Sequence, residues 1–198
     1  MISMSRRYEL KRRAERQEET RRRIVEAAIT LHGSLGMART TVTQIAELAG
    51  VGRQTVYRHF ADEHALGRAC SGLYWERNPF PDTEPWRAVA DPHERLRLGL
   101  RESYAYHRKT EAMIRLALAD AGDSPLLQSY HDHWQGAADV VTSAWPVRGR
   151  ERSLLRAAIG HAIVFPTWHS LVHDQGLTDR QAVELMHRLT CECDPSSS

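Results

Sequence analysis

The sequence predicts an all-α protein with a small N-terminal helical domain and a larger C-terminal one. Three observations carry this. Apolar residues recur at three- and four-residue spacing along most of the chain, as in Ile24, Ala28, Leu31 and Leu35, the period of helices with one buried face. Asn-Gly hairpin signals are absent, which argues against strands. Between the two parts, Pro79, Pro81, Pro85 and Pro92 interrupt the pattern; proline lacks the N–H that a helix interior requires.

Each element has its own local warrant. Residues 1–19 are polar and rich in both charges, with Arg6, Arg7, Lys11, Arg12, Arg13 and Arg16 against Glu9, Glu15, Glu18 and Glu19. They read as a basic arm or as an extension of the first helix. From Thr20 the pattern is amphipathic, and Gly36 is a plausible stop. Thr41 and Gln44 form a capping box: the hydroxyl accepts one orphan amide and the glutamine reaches back to another. A short helix follows Gly52, and Asp62 is a natural cap for a fourth. Residues 78–91 read mainly as a loop. Asp91-Pro92-His93-Glu94 opens the next helix, with Leu96, Leu100, Tyr104 and His107 on one face. A separate, shorter helix is expected around residues 111–120. Ser124-Pro125 should cap another, ending before Pro146. A long apolar helix is expected over residues 150–174, kinked at Pro166 and closed by Gly176. Thr178 and Gln181 form a second capping box ahead of the last helix, and residues 195–198 read as a disordered tail. The domain boundaries expected are an arm at 1–19, a first domain at 20–66, and a second at 67–194.

Composition narrows the function. The 198 residues are 26% charged and 41% hydrophobic, ordinary for a globular protein. The least polar long stretch, Ala162 to Val172, is too short to span a membrane and carries Pro166 and His169. The Arg-rich N-terminus lacks the apolar core of a signal peptide, so a cytoplasmic location and no membrane partner are expected. Cys70, Cys191 and Cys193 are too few, and odd in number, for a disulfide framework. Residues 1–60 hold twelve Lys and Arg against six Asp and Glu, whereas residues 61–198 hold fifteen against nineteen. A basic head on an acidic body suits a polyanion such as duplex DNA, where phosphate contacts supply sequence-independent affinity.

Residues 42–61 have the layout of a helix-turn-helix. Ala46 is small where a second helix would cross closely, Gly50 supplies a turn, and Val51 and Val56 are placed to lock the helices together. Arg53 can donate to both guanine acceptors, Gln54 can pair with adenine, and Thr55 can bond a base or touch a thymine methyl. Tyr57 and His59 can donate to phosphates. Thr41, Thr43 and Gln44, at the front of the preceding helix, complete the candidate DNA-contacting set.

These residues bring out a resemblance. The stretch from Thr20 through Ala28 to Thr41 and Val42, then Ile45 to Val51, then Thr55 to Phe60, resembles the DNA-binding domain of the TetR family of transcriptional regulators over about residues 20–70. The resemblance implies a homodimer held by a four-helix bundle of the last two helices. It also implies a small-molecule cavity among the middle helices, and a near-palindromic operator whose repression ligand relieves. The second motif helices would then enter successive major grooves about 34–36 Å apart, and a shift of the fourth helix, about residues 63–77, would couple ligand to DNA. One departure matters. Asp62 and Glu63 stand where the family often carries Ser or Asp and then a phosphate-binding Lys. An acid suits a helix N-terminus but repels phosphate, so that role is not carried over.

For the second domain, Tyr104, Trp134, Phe165 and Trp168 lie on apolar faces, with His107 and His161 as polar companions. They are the candidate ligand-binding residues, although core packing explains each equally well and Phe165 and Trp168 suit a dimer bundle too. His169 and His173 have metal-ligand spacing on a helix, but neither a Cys nor a carboxylate accompanies them at a matching spacing. Cys191 and Cys193 suggest a metal or oxidant sensor but adjoin the tail. No metal site and no cofactor are therefore expected. Gly-rich phosphate loops and the G-x-S-x-G and H-E-x-x-H motifs are absent, so the chain is read as a regulator rather than an enzyme. A constitutive DNA binder without ligand is the alternative, and a helical metal-dependent enzyme a more distant one.

Overall fold

The computed structural model describes residues 2–121 and 127–191. Within them all regular structure is helical: α1 (Ile2–Leu35), α2 (Val42–Ala49), α3 (Arg53–His59), α4 (Glu63–Arg77), α5 (Glu84–Arg87), α6 (Pro92–Ala121), α7 (Gln128–Thr142), α8 (Gly149–Ile163), α9 (Phe165–His169), a π-helical segment (Ser170–Asp174) and α10 (Asp179–Cys191). No helix among the described residues is long and apolar enough to cross a membrane. The chain divides into two compact units, one of residues 1–78 with 115–126, the other of residues 79–114 with 127–198.

In the first unit α1 is one continuous 34-residue helix, so residues 2–19 extend it rather than form a separate arm. Lys11 and Glu15, and Arg22 and Glu26, pair along it at i,i+4, a modest aid to an exposed helix. It ends where Gly36 takes a positive φ of 88° and donates its N–H to the His32 carbonyl at 3.1 Å. Only glycine adopts that conformation cheaply. The core is built by Ile24, Val25 and Ala28 of α1, Ile45, Ala46 and Ala49 of α2, Val56 of α3, Phe60, and Leu66 and Cys70 of α4. Asp120, near the end of α6, accepts the Ala38 N–H at 3.0 Å and so pins the α1–α2 connection.

The second unit is organised around a buried arginine. Arg95 is 7% exposed. Its guanidinium donates to the carbonyls of Val89 (2.8 Å), Arg87 (3.0 Å) and Val140 (3.1 Å) and to the Ser143 hydroxyl (2.9 Å). A buried charge is tolerable only when its donors are satisfied in this way. The result ties the α5 turn and the end of α7 to the first turns of α6. Trp86 of α5 is fully buried and donates its indole N–H to Glu102 at 2.6 Å. Asp91 caps α6 as expected, accepting the Glu94 N–H at 2.8 Å.

Two expectations for this unit need correction. Instead of two helices over 92–120, α6 runs unbroken for 30 residues. The polar stretch Arg108-Lys109 is only its solvated face, and the Thr110 hydroxyl bonds back to the Tyr106 carbonyl within the helix at 2.8 Å. Instead of one kinked helix over 150–174, α8 stops at Ile163, Val164 is extended (φ −87°, ψ 156°), and α9 restarts with Pro166 in its first turn. There the missing proline N–H is harmless. The cap expected at Ser124-Pro125 lies outside the described residues, as does the tail. Thr178 and Gln181 form the second capping box, with the Gln181 carboxamide accepting the Thr178 N–H at 2.9 Å.

Candidate functional site

The helix-turn-helix is held by local chemistry and by burial. Thr41 accepts the Gln44 N–H at 3.3 Å, and the Gln44 side chain accepts the Thr41 N–H at 2.8 Å. Both residues are thereby committed to the cap, while Thr43 stays exposed. Gly50 is left-handed (φ 64°, ψ 41°), and Val51 donates to the Ala46 carbonyl at 2.9 Å to close the turn. A Cβ at Gly50 would meet nothing nearer than Arg23 Nη1 at 3.9 Å. Gly50→Ala should therefore destabilise by the backbone penalty alone, about 1–2 kcal/mol, read as a fall in thermal midpoint. A much larger loss would show that the turn is packed more tightly than this.

Helix α3 turns one side inward and leaves the rest to solvent. Val56 is 2% exposed and packs into the cluster of α1 and α2. Arg53, Gln54 and Tyr57 are exposed, and Thr55 and His59 half-buried. Phe60 anchors the end of the helix beneath the Arg21 guanidinium, 4.8 Å above its ring. Burial, then the charges of Arg58 and Arg21, lowers the His59 imidazole below its usual range, so near neutral pH it offers a ring N–H and not a full charge. Asp62 accepts the Ala65 N–H at 2.6 Å and caps α4, and Glu63, the acid that departs from the family pattern, lies in the first turn of that helix.

In the second unit, five of the six candidate ligand residues come together. Tyr104, His107 and Trp168 are fully buried, and Trp134 and Phe165 nearly so. The His107 ring lies at the centre, 4.7 Å from Trp134, 5.7 Å from Phe165, 5.9 Å from Trp168 and 6.4 Å from Tyr104. The break before Pro166 explains part of this. It frees carbonyls at the end of α8, and side chains take them: Tyr104 OH donates to Ala162 at 2.8 Å, His107 Nε2 to Ile163 at 2.8 Å, and Thr167 to His161 at 2.6 Å. With Nε2 carrying the proton, His107 Nδ1 is a lone-pair acceptor, and it is buried with no partner among the described residues, as are Ser103 Oγ and His133 Nε2. His161 does not join them. It is exposed on α8 and lines a separate groove of about 520 Å³ with Pro166, Leu171 and Met186.

Other residues escaped the sequence reading. Phe80 stacks on His133 at 4.4 Å and 12°, and Tyr106 and Tyr130 flank the same cluster. Among the described residues, two groups of possible metal ligands also form. Glu111 meets His169 and His173, with His173 Nε2 2.9 Å from the Glu111 carboxylate. His93, of the first turn of α6, meets His187 and Cys191 of α10. The His187–Cys191 spacing was visible along the chain, but its partner lies 98 positions from Cys191, beyond any local pattern.

A family model described as bacterial regulatory proteins, tetR family, matches residues 24–70. The HTH-type transcriptional regulator TtgR of Pseudomonas putida is 45% identical over 60 residues, which cover 30% of this chain and 29% of that protein. The match thus spans less than a third of the relative's length. Among solved structures, a TetR-like transcriptional regulator from Rhodococcus sp. RHA1 has a TM-score of 0.59 at 18% identity, covering 86% of this chain and 93% of that one. NalD, the secondary repressor of the MexAB-OprM multidrug efflux pump in Pseudomonas aeruginosa, has a TM-score of 0.59 at 20% identity, covering 88% of this chain and 96% of that one. At these identities the structural likeness is one of fold. The likeness to the tetR family of bacterial regulatory proteins is thus one of sequence over the helix-turn-helix region, residues 24–70, and one of fold over the rest of the chain.

Proposed function

We infer that the protein binds a near-palindromic DNA operator as a homodimer and represses transcription until a small molecule releases it. The observation that carries the DNA reading is α3, which exposes Arg53 and Gln54 in its first turn while Val56 fixes its rotation against α1 and α2. An arginine and a glutamine there have the donor patterns for guanine and adenine edges in a major groove. Dimerisation is supported by apolar side chains left at the surface of the last two long helices: Leu154 on α8 is 57% exposed, and Leu185 and Leu189 on α10 are 37% and 48% exposed. Repression accords with the relatives, which are named as transcriptional regulators and, for NalD, as a repressor.

For the effector, the aromatic cluster is the proposed site. Buried polar atoms normally find partners, and among the described residues His107 Nδ1, at the centre of the aromatic cluster, and Ser103 Oγ, one turn before it on α6, lack them. An aromatic or hydrophobic molecule with one donor and one acceptor would suit that cluster.

The test is selection of bound duplexes from a random-sequence pool at near-physiological salt. A two-half-site palindrome is the expected product; a folded protein that enriches nothing would remove the sequence-specific reading. Arg53→Ala should then lose about 1–3 kcal/mol of discrimination at one base pair of each half-site. An equal loss on every sequence would make Arg53 a phosphate contact instead.

A further inference from the structure

We propose that His93, His187 and Cys191 form a binding site for one divalent transition-metal ion of the zinc class. The site is separate from the helix-turn-helix and from the aromatic cluster, and it does not depend on the DNA reading. His93 Nδ1 lies 3.1 Å from Cys191 Sγ, and Cys191 Sγ lies 3.4 Å from His187 Nε2. All three ligand atoms fall within 4.8 Å of one another. Around a tetrahedral ion with metal–sulfur and metal–nitrogen bonds of about 2.3 and 2.0–2.1 Å, neighbouring ligand atoms stand about 3.4–3.6 Å apart. The two distances around the thiol are thus within a few tenths of an ångström of a coordination sphere.

The scaffold holds these ligands in place. His187 and Cys191 are four apart on the last turns of α10, so one helix face presents both. His93 sits in the first turn of α6, between the Asp91 cap and the Arg95 clamp. Trp145, 4% exposed, packs edge-on to the His93 ring at 6.0 Å, and His187 is itself 7% exposed. A half-dry apolar wall of this kind favours retention of an ion once its ligands close on it. The nearby cations are compensated: Arg97 is paired with Glu94 at 2.8 Å and Arg188 with Glu184 at 2.7 Å.

The donor set selects the metal. A thiolate with two imidazoles suits zinc, cobalt, nickel or copper and disfavours magnesium and calcium, which take oxygen ligands. Among the described residues three ligands converge, one short of a closed tetrahedral set. The group Glu111, His169 and His173 has no thiolate, and so provides an internal control.

The experiment is titration of the reduced, full-length protein with Co²⁺, followed by absorption, and displacement with Zn²⁺. The expected result is one ion per chain, with a thiolate-to-cobalt charge-transfer band and the visible bands of a four-coordinate ion, all removed by Zn²⁺. Cys191→Ser should abolish the charge-transfer band, and His93→Gln should weaken binding at least tenfold. His93 is half-buried at a helix start, so this second variant keeps the test decisive where Cys191→Ser folds poorly. Cys70→Ala and the double variant His169→Gln/His173→Gln should leave the spectrum unchanged. The proposal is overturned by the absence of a charge-transfer band in the wild-type protein, by a band that survives Cys191→Ser, or by one lost in the double histidine variant.

Discussion

Trp168→Ala should destabilise the C-terminal unit by about 3–5 kcal/mol, the range for deleting a buried tryptophan. The ring is fully buried, with Phe165 and His107 at 5.5 and 5.9 Å and the Arg108 guanidinium 5.5 Å above its face. Its indole N–H donates to Asp179 Oδ1 at 2.9 Å. Asp179 also accepts both nitrogens of a bidentate Arg108 fork, at 2.6 and 2.7 Å, and opens α10, where an acid is favoured by the helix dipole. One side chain thus joins α9, α6 and the start of α10. Trp168→Phe separates the two contributions, because it retains most of the apolar volume and loses the bond to a carboxylate. It should cost less, about 1.5–3 kcal/mol. Urea unfolding followed by near-ultraviolet circular dichroism measures both. A Trp168→Ala midpoint equal to wild type would mean that the ring does not hold these helices together.

What could be read in the chain beforehand divides by range. The caps at Thr41, Asp62, Asp91 and Thr178 and the stop at Gly36 were legible, because each rests on a hydrogen bond spanning three or four residues. The helix-turn-helix was legible for the same reason: its turn, its cap and its buried Val56 lie within one short window. The break before Pro166 was legible only as a kink. Its actual form depends on Tyr104 and His107, 58 and 56 positions away from the Ala162 and Ile163 carbonyls they occupy. Without those partners a continued helix would leave fewer orphan acceptors. His161 looked like a companion of His107, yet the chain turns after Ile163 and leaves it on the outer face of α8. Phe80, drawn into the cluster by its stack on His133, comes from a segment whose prolines read simply as loop. The His93–His187–Cys191 group had half its pattern in the sequence and the other half only in the fold.

Acidification from pH 6.5 to 5 should destabilise the C-terminal unit by about 2 kcal/mol through His107 alone. Burial pushes this imidazole down to about 4, the nearby His133 adds to the effect, and the bond to the Ile163 carbonyl only partly opposes it. The unfolded chain titrates the same group near 6.5. Between the two values the unfolded state takes up a proton that the folded state refuses, so stability rises with pH through this window. The contribution of the neutral ring is complete above about pH 6.5 and is lost as the pH falls toward 4, at about 1.36 kcal/mol per pH unit. His133, also lowered to about 4 by burial, is partly exposed and should add less. The carboxylates act elsewhere. Asp139 and Asp179, lowered chiefly by hydrogen bonds to Arg156 and Arg108, hold their stabilisation above the ordinary carboxylate range and lose it only at lower pH. Other depressed histidines, such as His32 and His59, share the window, so the diagnostic is a difference between variants. His107→Gln can still donate to the Ile163 carbonyl but cannot titrate. Chemical denaturation at a series of pH values should show its slope between pH 5 and 6.5 reduced by about one proton relative to wild type. Parallel slopes would mean that His107 takes up its proton in the folded protein, and would remove the neutral Nδ1 acceptor on which the proposed effector site relies.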